Sequence, residues 1–343
     1  MRECNPKNER IKRRYTEYMR LSGGKSETTI DKALAAIARF ERSTRWKGFE
    51  KFHIEQAIGF RDELDSEINK ATGKPVAKGT VVAILKALRR FFIWLADQTG
   101  YRSRIRYSDA DYFNPSNRDD RIARSAEQKP SPSFEQIQVV ISRMPASTAV
   151  ERRNRAILAF LILTGIRDGA AVGLKLRHVD LDDRSIRQDA REIRTKFSKT
   201  MTTWFFPVGD EISMIFADYV REMRAEGLFS PDDPLFPATR IGVGSTGGFA
   251  ANGLTRRHWS SAAFLRKVVK EAFEVSGMPP YGPHSFRKTL SRLGERLCRT
   301  PEEFKAWSQN LGHDDVMTTF RSYGQVSRDR QREVLSGFAA DGR

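Results

Sequence analysis

The chain has 343 residues, with 60 lysines and arginines against 43 aspartates and glutamates, so its net charge is +17. A chain of this length predicts two domains, and the positive charge favours nucleic acid as a partner. The longest apolar run, 156–166, is too short to cross a bilayer, and the first residues lack the apolar segment of a secretory signal. Cys4 and Cys298 fit no zinc or disulfide spacing, so we expect a reduced, intracellular protein without a metal site. Taken with the positive charge, these features predict a cytoplasmic protein that associates with nucleic acid and has no membrane contact.

The first third of the chain has helical periodicity and no strand signal. Apolar residues at helical spacing predict three helices, over 29–40, 54–68 and 80–95. The predicted buried face of the second helix consists of Ile58, Leu64 and Ile68. We therefore predict an all-α helical bundle over 1–118. Lys86, Arg89 and Arg90 lie off the apolar stripe of the third helix, where a phosphate-binding face and a merely solvated face are equally favoured.

The second domain is predicted to be mixed and mainly helical, with a small antiparallel sheet. A polar stretch with proline and serine gives a linker over 119–132, and Ser133 with Gln136 forms a capping box that begins the next helix. We predict this domain over 133–325 and a tail for protomer contacts over 326–343. The predicted helices are 152–164, 212–223, 261–275, one beginning after Thr300 and a weak one over 327–338. Strands are predicted over 179–182, 184–193 and 202–208, and a loop over 231–253.

Four short motifs in the second domain suit the cleavage of a phosphodiester. They are LTGIRDG with Arg167, TKFSKTMTTWFFPV with Lys199, PHSFRKT with His284 and Arg287, and LGHDDVMTTFRSYG with His313 and Tyr323. The reaction needs a nucleophile, positive charge on the phosphate oxygens and a proton for the leaving oxygen. Guanidinium groups bind two phosphate oxygens at once and can take the place of metal ions. Each motif alone is more often structural, but their joint occurrence on a basic chain favours this chemistry.

These motifs also carry a family resemblance. The stretch 133–323 resembles the catalytic domain of the tyrosine recombinases, the phage-type integrase family. LTGIRDG resembles the first-arginine box, PHSFRKT with LSRLG the His-x-x-Arg box, and LGHDDVMTTFRSY the Leu-Gly-His box with its tyrosine. The helical first third resembles the core-binding domain of the family, although it carries no diagnostic motif.

The resemblance implies a site-specific recombinase that cleaves and rejoins DNA through a 3′-phosphotyrosyl intermediate, without metal, ATP or another cofactor. Its implied partners are double-stranded DNA and further copies of itself in a tetramer, with room for an accessory DNA-bending protein. Such an enzyme belongs to a mobile genetic element. The implied roles are nucleophile for Tyr323, phosphate clamp for Arg167 and Arg287, proton donor to the leaving 5′ oxygen for Lys199, proton handling for His284, and a phosphate hydrogen bond for His313.

Three positions differ from the family pattern or leave a choice open. The tyrosine of the family usually stands one residue earlier, where this chain has Ser322, and one helical residue turns a side chain by about 100°. The usual acid after the first arginine is replaced by Ala170, and the nearest acid, Asp168, either orients that arginine or, as we favour, caps the next helix. Lys196 is the alternative to Lys199, which is preferred for its distance from the strand-ending Pro207.

Two other functions compete with recombination. A type IB topoisomerase shares the chemistry and acts as a monomer, whereas the helical first domain and the tail after Tyr323 favour recombination. A catalytically inactive DNA-binding or architectural protein is the second alternative, and the full set of six residues argues against it. Relaxation of supercoiled DNA separates the first alternative from recombination, and covalent trapping on DNA separates the second.

Overall fold

The computed structural model describes residues 4–70, 72–124, 130–193, 199–225, 227–243, 247–313, 331–332 and 336. Contacts between Cα atoms divide the chain into two compact units, Met1–Glu127 and Gln128–Arg343. The first is helical, and the second is mainly helical with two small antiparallel sheets, so the predicted fold class is confirmed. No helix among the described residues is both long and apolar enough to span a bilayer.

The first unit is a bundle built around its most apolar helix. Its described α-helices are α1 (Pro6–Leu21), α2 (Glu27–Ser43), α3 (Ile54–Ser66), α4 (Lys78–Ala96) and α5 (Asn117–Arg124). The whole predicted stripe of α4 is buried, because it packs on α2 and on the short helices that follow. The ring of Phe40 meets those of Phe60, Phe92 and Phe113 edge to face, with centroids 5.4 Å apart in each pair. This aromatic cluster forms the centre of the core.

Two details of the first unit differ from the sequence prediction. Ile58 is exposed, since α3 turns Ala57, Phe60 and Leu64 inward, a face with the same helical period but another phase. Ile68 is also exposed, because α3 ends at Ser66 and Ile68 lies outside the helix. The helix α5 occupies the first part of the stretch assigned to the linker. It is strongly polar, so its apolar signal is weak, and it is held to α4 by ion pairs through Asp119 and Asp120.

The second unit surrounds one buried helix. Its described helices are α6 (Phe134–Arg143), α7 (Ala149–Thr164), α8 (Asp168–Ala171), α9 (Asp210–Ala225), α10 (Ala263–Val275), α11 (Pro283–Leu297) and α12 (Pro301–Asn310). Every residue of α7 from Ala156 to Thr164 is buried, because α6, α9, α10 and α11 pack around it. The predicted capping boxes are confirmed: Ser133 Oγ accepts from Gln136 N at 3.1 Å, and Thr300 Oγ1 accepts from Glu303 N at 3.1 Å.

The larger sheet is a three-stranded antiparallel one. Its order is β1 (Val179–Asp180), β2 (Ser185–Gln188) and β3 (Met201–Trp204), with Ile186 paired to both Val179 and Thr203. These strands are shorter than predicted. After Trp204 the chain leaves the sheet, since Phe206 N donates to Leu163 O of α7 at 2.7 Å. Trp204 itself is exposed rather than part of the core.

The predicted loop over 231–253 is wrong in part, because it contains a hairpin. Strands β4 (Thr239–Val243) and β5 (Phe249–Leu254) pair antiparallel, with an irregularity between Thr239 and Ile241. Most of their side chains are exposed, and Phe249 is 89% accessible. A hairpin without a buried face leaves no alternation of apolar and polar residues, so its sequence is typical of a loop.

Candidate active site

The first part of the site is the turn that ends α7. Gly165 has φ +60°, the left-handed conformation that closes a helix. A Cβ at this glycine would lie 2.8 Å from Leu311 Cδ2 and 3.0 Å from Leu290 Cδ1, so other segments approach the bare backbone. Ile166 stays in the core, whereas Arg167 precedes the short helix α8 and is half-buried.

The second part is the start of α11, which holds Arg287. This arginine is only 5% exposed. Its Nη1 donates to Gly165 O, and its Nη2 donates to Leu311 O at 2.5 Å. The side chain therefore joins the end of α7 to the end of α12, and the two carbonyls fix the orientation of its guanidinium plane.

His313 completes the contacts of Arg287. Its Nε2 lies 3.0 Å from Arg287 Nη2. A guanidinium can only donate, so this imidazole nitrogen accepts, and the neutral ring carries its proton on Nδ1. The backbone of His313 is held by its N–H, which donates to Ser308 O at 3.2 Å. The Leu-Gly-His motif thus presents one carbonyl and one imidazole to the same arginine.

Positive charge converges at this point. Burial, and then the charge of Arg167, lower the pKa of Arg287 from 12.5 to about 9. A Cβ on Gly312 would lie 3.9 Å from Arg167 Nη1, which places this second guanidinium beside the Leu-Gly-His turn. Within the described ranges no carboxylate forms an ion pair with Arg287. An anion that enters here would relieve the repulsion between the two arginines.

His284 lies one turn before Arg287, at the N-terminal end of α11. Partial loss of hydration lowers its pKa, and so do the charges of Arg287, Lys288 and Arg167, although the residue as a whole is exposed. The ring is therefore neutral near pH 7 before any anion binds. A negative phosphate beside it would favour the protonated form, which suits a group that passes protons.

Lys199 lies just before β3, on the other side of the Leu-Gly-His turn. It is exposed and lines an open cavity of about 820 Å³ together with Gly312 and His313. Gly312 has φ +67°, and a Cβ there would lie 2.9 Å from Met201 Sδ. The glycine thus lets the start of β3 approach the turn, which brings the segment of Lys199 to the same site as His313.

Two candidates lie outside the described residues, and a third is paired elsewhere. Tyr323 and Lys196, like most of the predicted tail and its helix, fall in segments that the structure does not describe. Asp168 Oδ2 accepts from Arg266 Nε at 2.5 Å, and its Oδ1 accepts from Gly169 N at 2.8 Å. Its carboxylate therefore serves the first turn of α8 and an arginine of α10. Ala170, at the usual acidic position, is buried in the core.

The three candidate DNA contacts of the first unit have different surroundings. Lys86 Nζ pairs with Asp120 at 2.8 Å, and Arg89 Nη2 pairs with Asp111 at 2.9 Å. Arg90 is exposed and lines a groove of about 1600 Å³ between α1, α2 and α4. The described residues give Arg90 no ion pair, so it differs from the other two in having its charge uncompensated.

Several contributors to the site were missed by sequence reasoning. The carbonyls of Gly165 and Leu311 hold Arg287, but a backbone acceptor leaves no signal in residue type. Asn310 Oδ1 accepts from Trp204 N at 2.8 Å and covers the outer edge of β3, and Trp307 Nε1 donates to Leu290 O at 3.0 Å and ties α12 to α11. Their one sequence signal was their place just before the Leu-Gly-His motif. The described residues contain no group of three His, Cys, Asp or Glu side chains arranged to hold a metal ion.

Several tyrosine recombinases are similar to this chain in sequence. The XerC tyrosine recombinase of Halalkalibacterium halodurans is 24% identical over 210 residues, 60% of this chain and 62% of the relative. The XerD tyrosine recombinase of Pseudomonas putida is 27% identical over 200 residues, 58% of each chain. The chain thus spans about three fifths of the length of these relatives. The XerC of Bacillus pumilus is 23% identical over 336 residues, 95% of each chain.

The solved structures that resemble this chain support its fold. The Tn1549 transposon integrase in complex with transposon right end DNA has a TM-score of 0.64 at 14% identity, over 96% of this chain and 99% of that one. A lambda integrase dimer bound to a core site has a TM-score of 0.58 at 14% identity, over 93% and 96%. The model of the phage integrase family matches residues 133–330, well over half of the chain. The chain therefore belongs to the phage integrase family.

Proposed function

We propose that this protein is a tyrosine site-specific recombinase, which cleaves and rejoins DNA strands through a covalent link to Tyr323. The observation that carries the proposal is the environment of Arg287. It is a buried guanidinium, fixed by two carbonyls and His313, and repelled by Arg167. Such a group is oriented and lacks an anion, as a receptor for a phosphodiester must be.

In the proposed reaction the phenolate oxygen of Tyr323 attacks the scissile phosphorus, and the bond from phosphorus to the 5′ oxygen breaks. Arg167 and Arg287 bind the non-bridging oxygens, whose charge increases in the transition state. Lys199 gives its proton to the leaving 5′ oxygen. His284 assists proton transfer, and His313 forms a hydrogen bond with a phosphate oxygen. Attack by the freed 5′ hydroxyl of another strand reverses these steps and rejoins the DNA.

The substrate is proposed to be double-stranded DNA, bound by a tetramer of this chain on paired sites. The Xer relatives are tyrosine recombinases, and the similar structures are of an integrase and a lambda integrase bound to DNA. The net charge of +17 suits such a substrate. A tail after Tyr323 that contacts a neighbouring protomer, and an accessory DNA-bending protein, remain part of this proposal.

Covalent trapping tests the proposal. A library of duplexes, each nicked near a randomised segment, is incubated with the protein in excess EDTA, and adducts that resist denaturant are recovered and sequenced. We expect wild type to select a defined duplex and to carry its 3′ phosphate on Tyr323. The variant Tyr323→Phe should trap no DNA, while the matched control Ser322→Ala, at the usual position of the tyrosine, should trap it normally.

The outcomes separate the competing functions. Failure of wild type to trap any duplex would leave only a DNA-binding protein. Trapping that requires Mg²⁺ would contradict the arginine-based site. Efficient relaxation of a supercoiled plasmid that lacks the selected duplex would favour a topoisomerase. An adduct in Tyr323→Phe would place the nucleophile at another residue.

A further inference from the structure

A buried histidine and an exposed glutamate meet beside the β2–β3 connection, outside the phosphate site. His178 is 5% exposed, and its Nε2 lies 3.2 Å from Glu192 Oε2. The same carboxylate oxygen accepts from Arg177 Nη2 at 2.5 Å. We call Glu192 with Arg177 and His178 the carboxylate clamp. It joins the short helix before β1 to the segment that follows β2.

The direction of these hydrogen bonds is set by the backbone. Lys175 N donates to His178 Nδ1 at 3.0 Å, so this nitrogen is an acceptor and the ring proton lies on Nε2. The neutral imidazole therefore donates to Glu192, as does the guanidinium of Arg177. A carboxylate with two fixed donors has little freedom to turn, so the clamp defines the position of the Glu192 backbone.

Glu192 belongs to the connection that leads from β2 to Lys199. Beyond β2, Glu192 N and Ile193 N both donate to Asp189 O, at 3.1 and 2.9 Å, which closes a turn. Ile193 is 2% exposed and packs against the second-unit core. Ala190 N donates to Thr200 Oγ1 at 3.1 Å, which ties this turn to the residue next to Lys199. The clamp and the turn are thus linked to Thr200 through described residues, while residues 194–198 lie outside the described ranges.

The ion pair between Arg177 and Glu192 adds little stability of its own. The side chains of Arg177 and Glu192 are 39% and 36% exposed, and exposed ion pairs contribute only about 0–1 kcal/mol. A second carboxylate, Asp232, already pairs with Arg177 and with Lys175. Unlike Asp232, Glu192 also accepts from the buried His178, and it belongs to the connection that carries Lys199.

We propose that Glu192 is a positioning residue for Lys199: held by Arg177 and His178, it fixes the turn over 189–193, which bonds to the residue next to Lys199, so that the ammonium reaches the leaving 5′ oxygen. This inference rests on the proposed function. A misplaced Lys199 would impair only one step, the transfer of its proton to the leaving oxygen. When the bond from phosphorus to the 5′ oxygen breaks, the oxygen needs the proton of Lys199, whereas a sulfur in that bridging position leaves as a thiolate. A thiol has a pKa of about 8.5, so a thiolate leaves without a proton donor.

The test compares single-turnover cleavage of two substrates by the full-length protein. Both are the duplex selected by trapping, one with the natural 5′ oxygen and one with sulfur at that bridging position. Because misplacement of a catalytic group by about 1 Å costs up to about 100-fold, we expect Glu192→Ala to slow cleavage of the oxygen substrate by about 10- to 100-fold. On the sulfur substrate its rate should stay close to that of wild type. Glu192→Gln, which keeps one acceptor oxygen for His178, should recover part of the loss.

The matched control is Asp232→Asn, which removes the other carboxylate bound to Arg177 and touches no residue of the connection. It should cleave both substrates at the wild-type rate, and thermal unfolding should show all variants folded. Equal slowing of Glu192→Ala on both substrates, or no slowing on either, would overturn the inference. Lys199→Ala reports on the proposed function itself: if wild type cleaves but sulfur does not rescue this variant, Lys199 is not the proton donor and the inference falls with it.

Discussion

Several lysines and arginines described in the first unit and one buried arginine of the second unit have opposite surroundings. In the first unit exposed cations meet carboxylates: Lys78 pairs with Asp65 at 2.6 Å and with Asp119 at 2.8 Å. In the second unit Arg287 is buried and bonded to carbonyls and an imidazole. The net charge of the chain suggests what kind of partner binds, but only the cations without a carboxylate indicate where an anion is expected.

Burial alone does not identify such a cation, as a second arginine of the same unit demonstrates. Arg153 is fully buried, and burial lowers its pKa from 12.5 to about 10. Its Nη1 donates to Pro237 O at 2.7 Å, and its guanidinium lies 5.0 Å from the ring centroids of both Trp259 and Phe264. Aromatic faces cover this cation, whereas Arg287 is next to other cations. The nearby charge of Arg167 therefore distinguishes Arg287 from Arg153, whose role is structural.

Substitution of these two arginines should separate their roles and gives the largest expected effect. Arg287→Lys keeps the charge but loses the paired donors, so we expect single-turnover cleavage of the trapped duplex to fall by about 100- to 1000-fold. Arg153→Lys should lower the thermal unfolding temperature and leave the cleavage rate of the folded protein unchanged. Equal losses of cleavage in both variants, after correction for the folded fraction, would remove the distinction.

Substitution of Gly165, whose carbonyl accepts from Arg287, should lower both stability and the cleavage rate. Gly165→Ala forces a side chain into a left-handed conformation and against Leu311 and Leu290, at a cost of about 1–3 kcal/mol in the free energy of unfolding. It should also slow cleavage, since Gly165 O orients Arg287. Gly169→Ala is the control, because a Cβ there meets nothing within 4 Å. Denaturant unfolding measures the stability of the two variants. A Gly165→Ala variant as stable as wild type would contradict the described packing.

Local patterns predicted a large part of this fold. The apolar helix predicted over 152–164, with Gly165 as its stop, is the central helix α7, and Ser133 marks the start of α6, because the signals for helix burial and capping lie within a few residues. The hairpin of β4 and β5 was missed since most of its strands lie in solvent. The phase of α3 was missed because two apolar faces compete there, and only packing selects between them.

The motifs predicted which residues form the candidate site, but not which atoms hold them in place. Arg287 bonds to Gly165, which lies 122 residues earlier in the chain, through a backbone atom that every residue type has. Lys86 and Arg89 look like Arg90 in sequence, and their partners Asp120 and Asp111 are 34 and 22 residues away. Long-range pairing of this kind is visible only in three dimensions, so sequence could not rank the three cations.

That ranking sharpens the comparison within the first unit. Arg90→Glu should reduce DNA affinity, and it should lower the slope of log affinity against log salt by about 0.9 for each phosphate that the protein no longer neutralises. Lys86→Glu should have a smaller effect, since Asp120 already compensates that lysine. Reversal of Lys86, Arg89 and Arg90 together should weaken binding without changing the cleavage rate on saturating DNA. An equal change of slope in both single variants would mean that the ion pairs open on DNA.

The smallest expected effect concerns His178, a potential cation that the fold keeps neutral. Burial lowers its pKa from 6.5, while the hydrogen bond to Glu192 raises it in part. The unfolded chain therefore takes up a proton below pH 6.5 that the folded protein excludes, so this contribution to stability is present above pH 6.5 and is lost as the pH falls. The Glu192 carboxylate, whose own pKa lies below 4.5, stays ionised from pH 5 to 6.5.

Two measurements check this sign. In NMR titration the ring of His178 should protonate below pH 6.5 in the wild type, and at lower pH still in Glu192→Ala, because the acceptor that favours the charged ring is gone. In denaturant unfolding, His178→Gln should reduce the loss of stability between pH 6.5 and 5, by at most about 1.4 kcal/mol per pH unit for one proton. A ring that titrates above pH 6.5 would mean that His178 is a cation paired with Glu192. His178 would then pair with Glu192 as the cations of the first unit pair with their carboxylates, and the assignment of a neutral imidazole donor would be wrong.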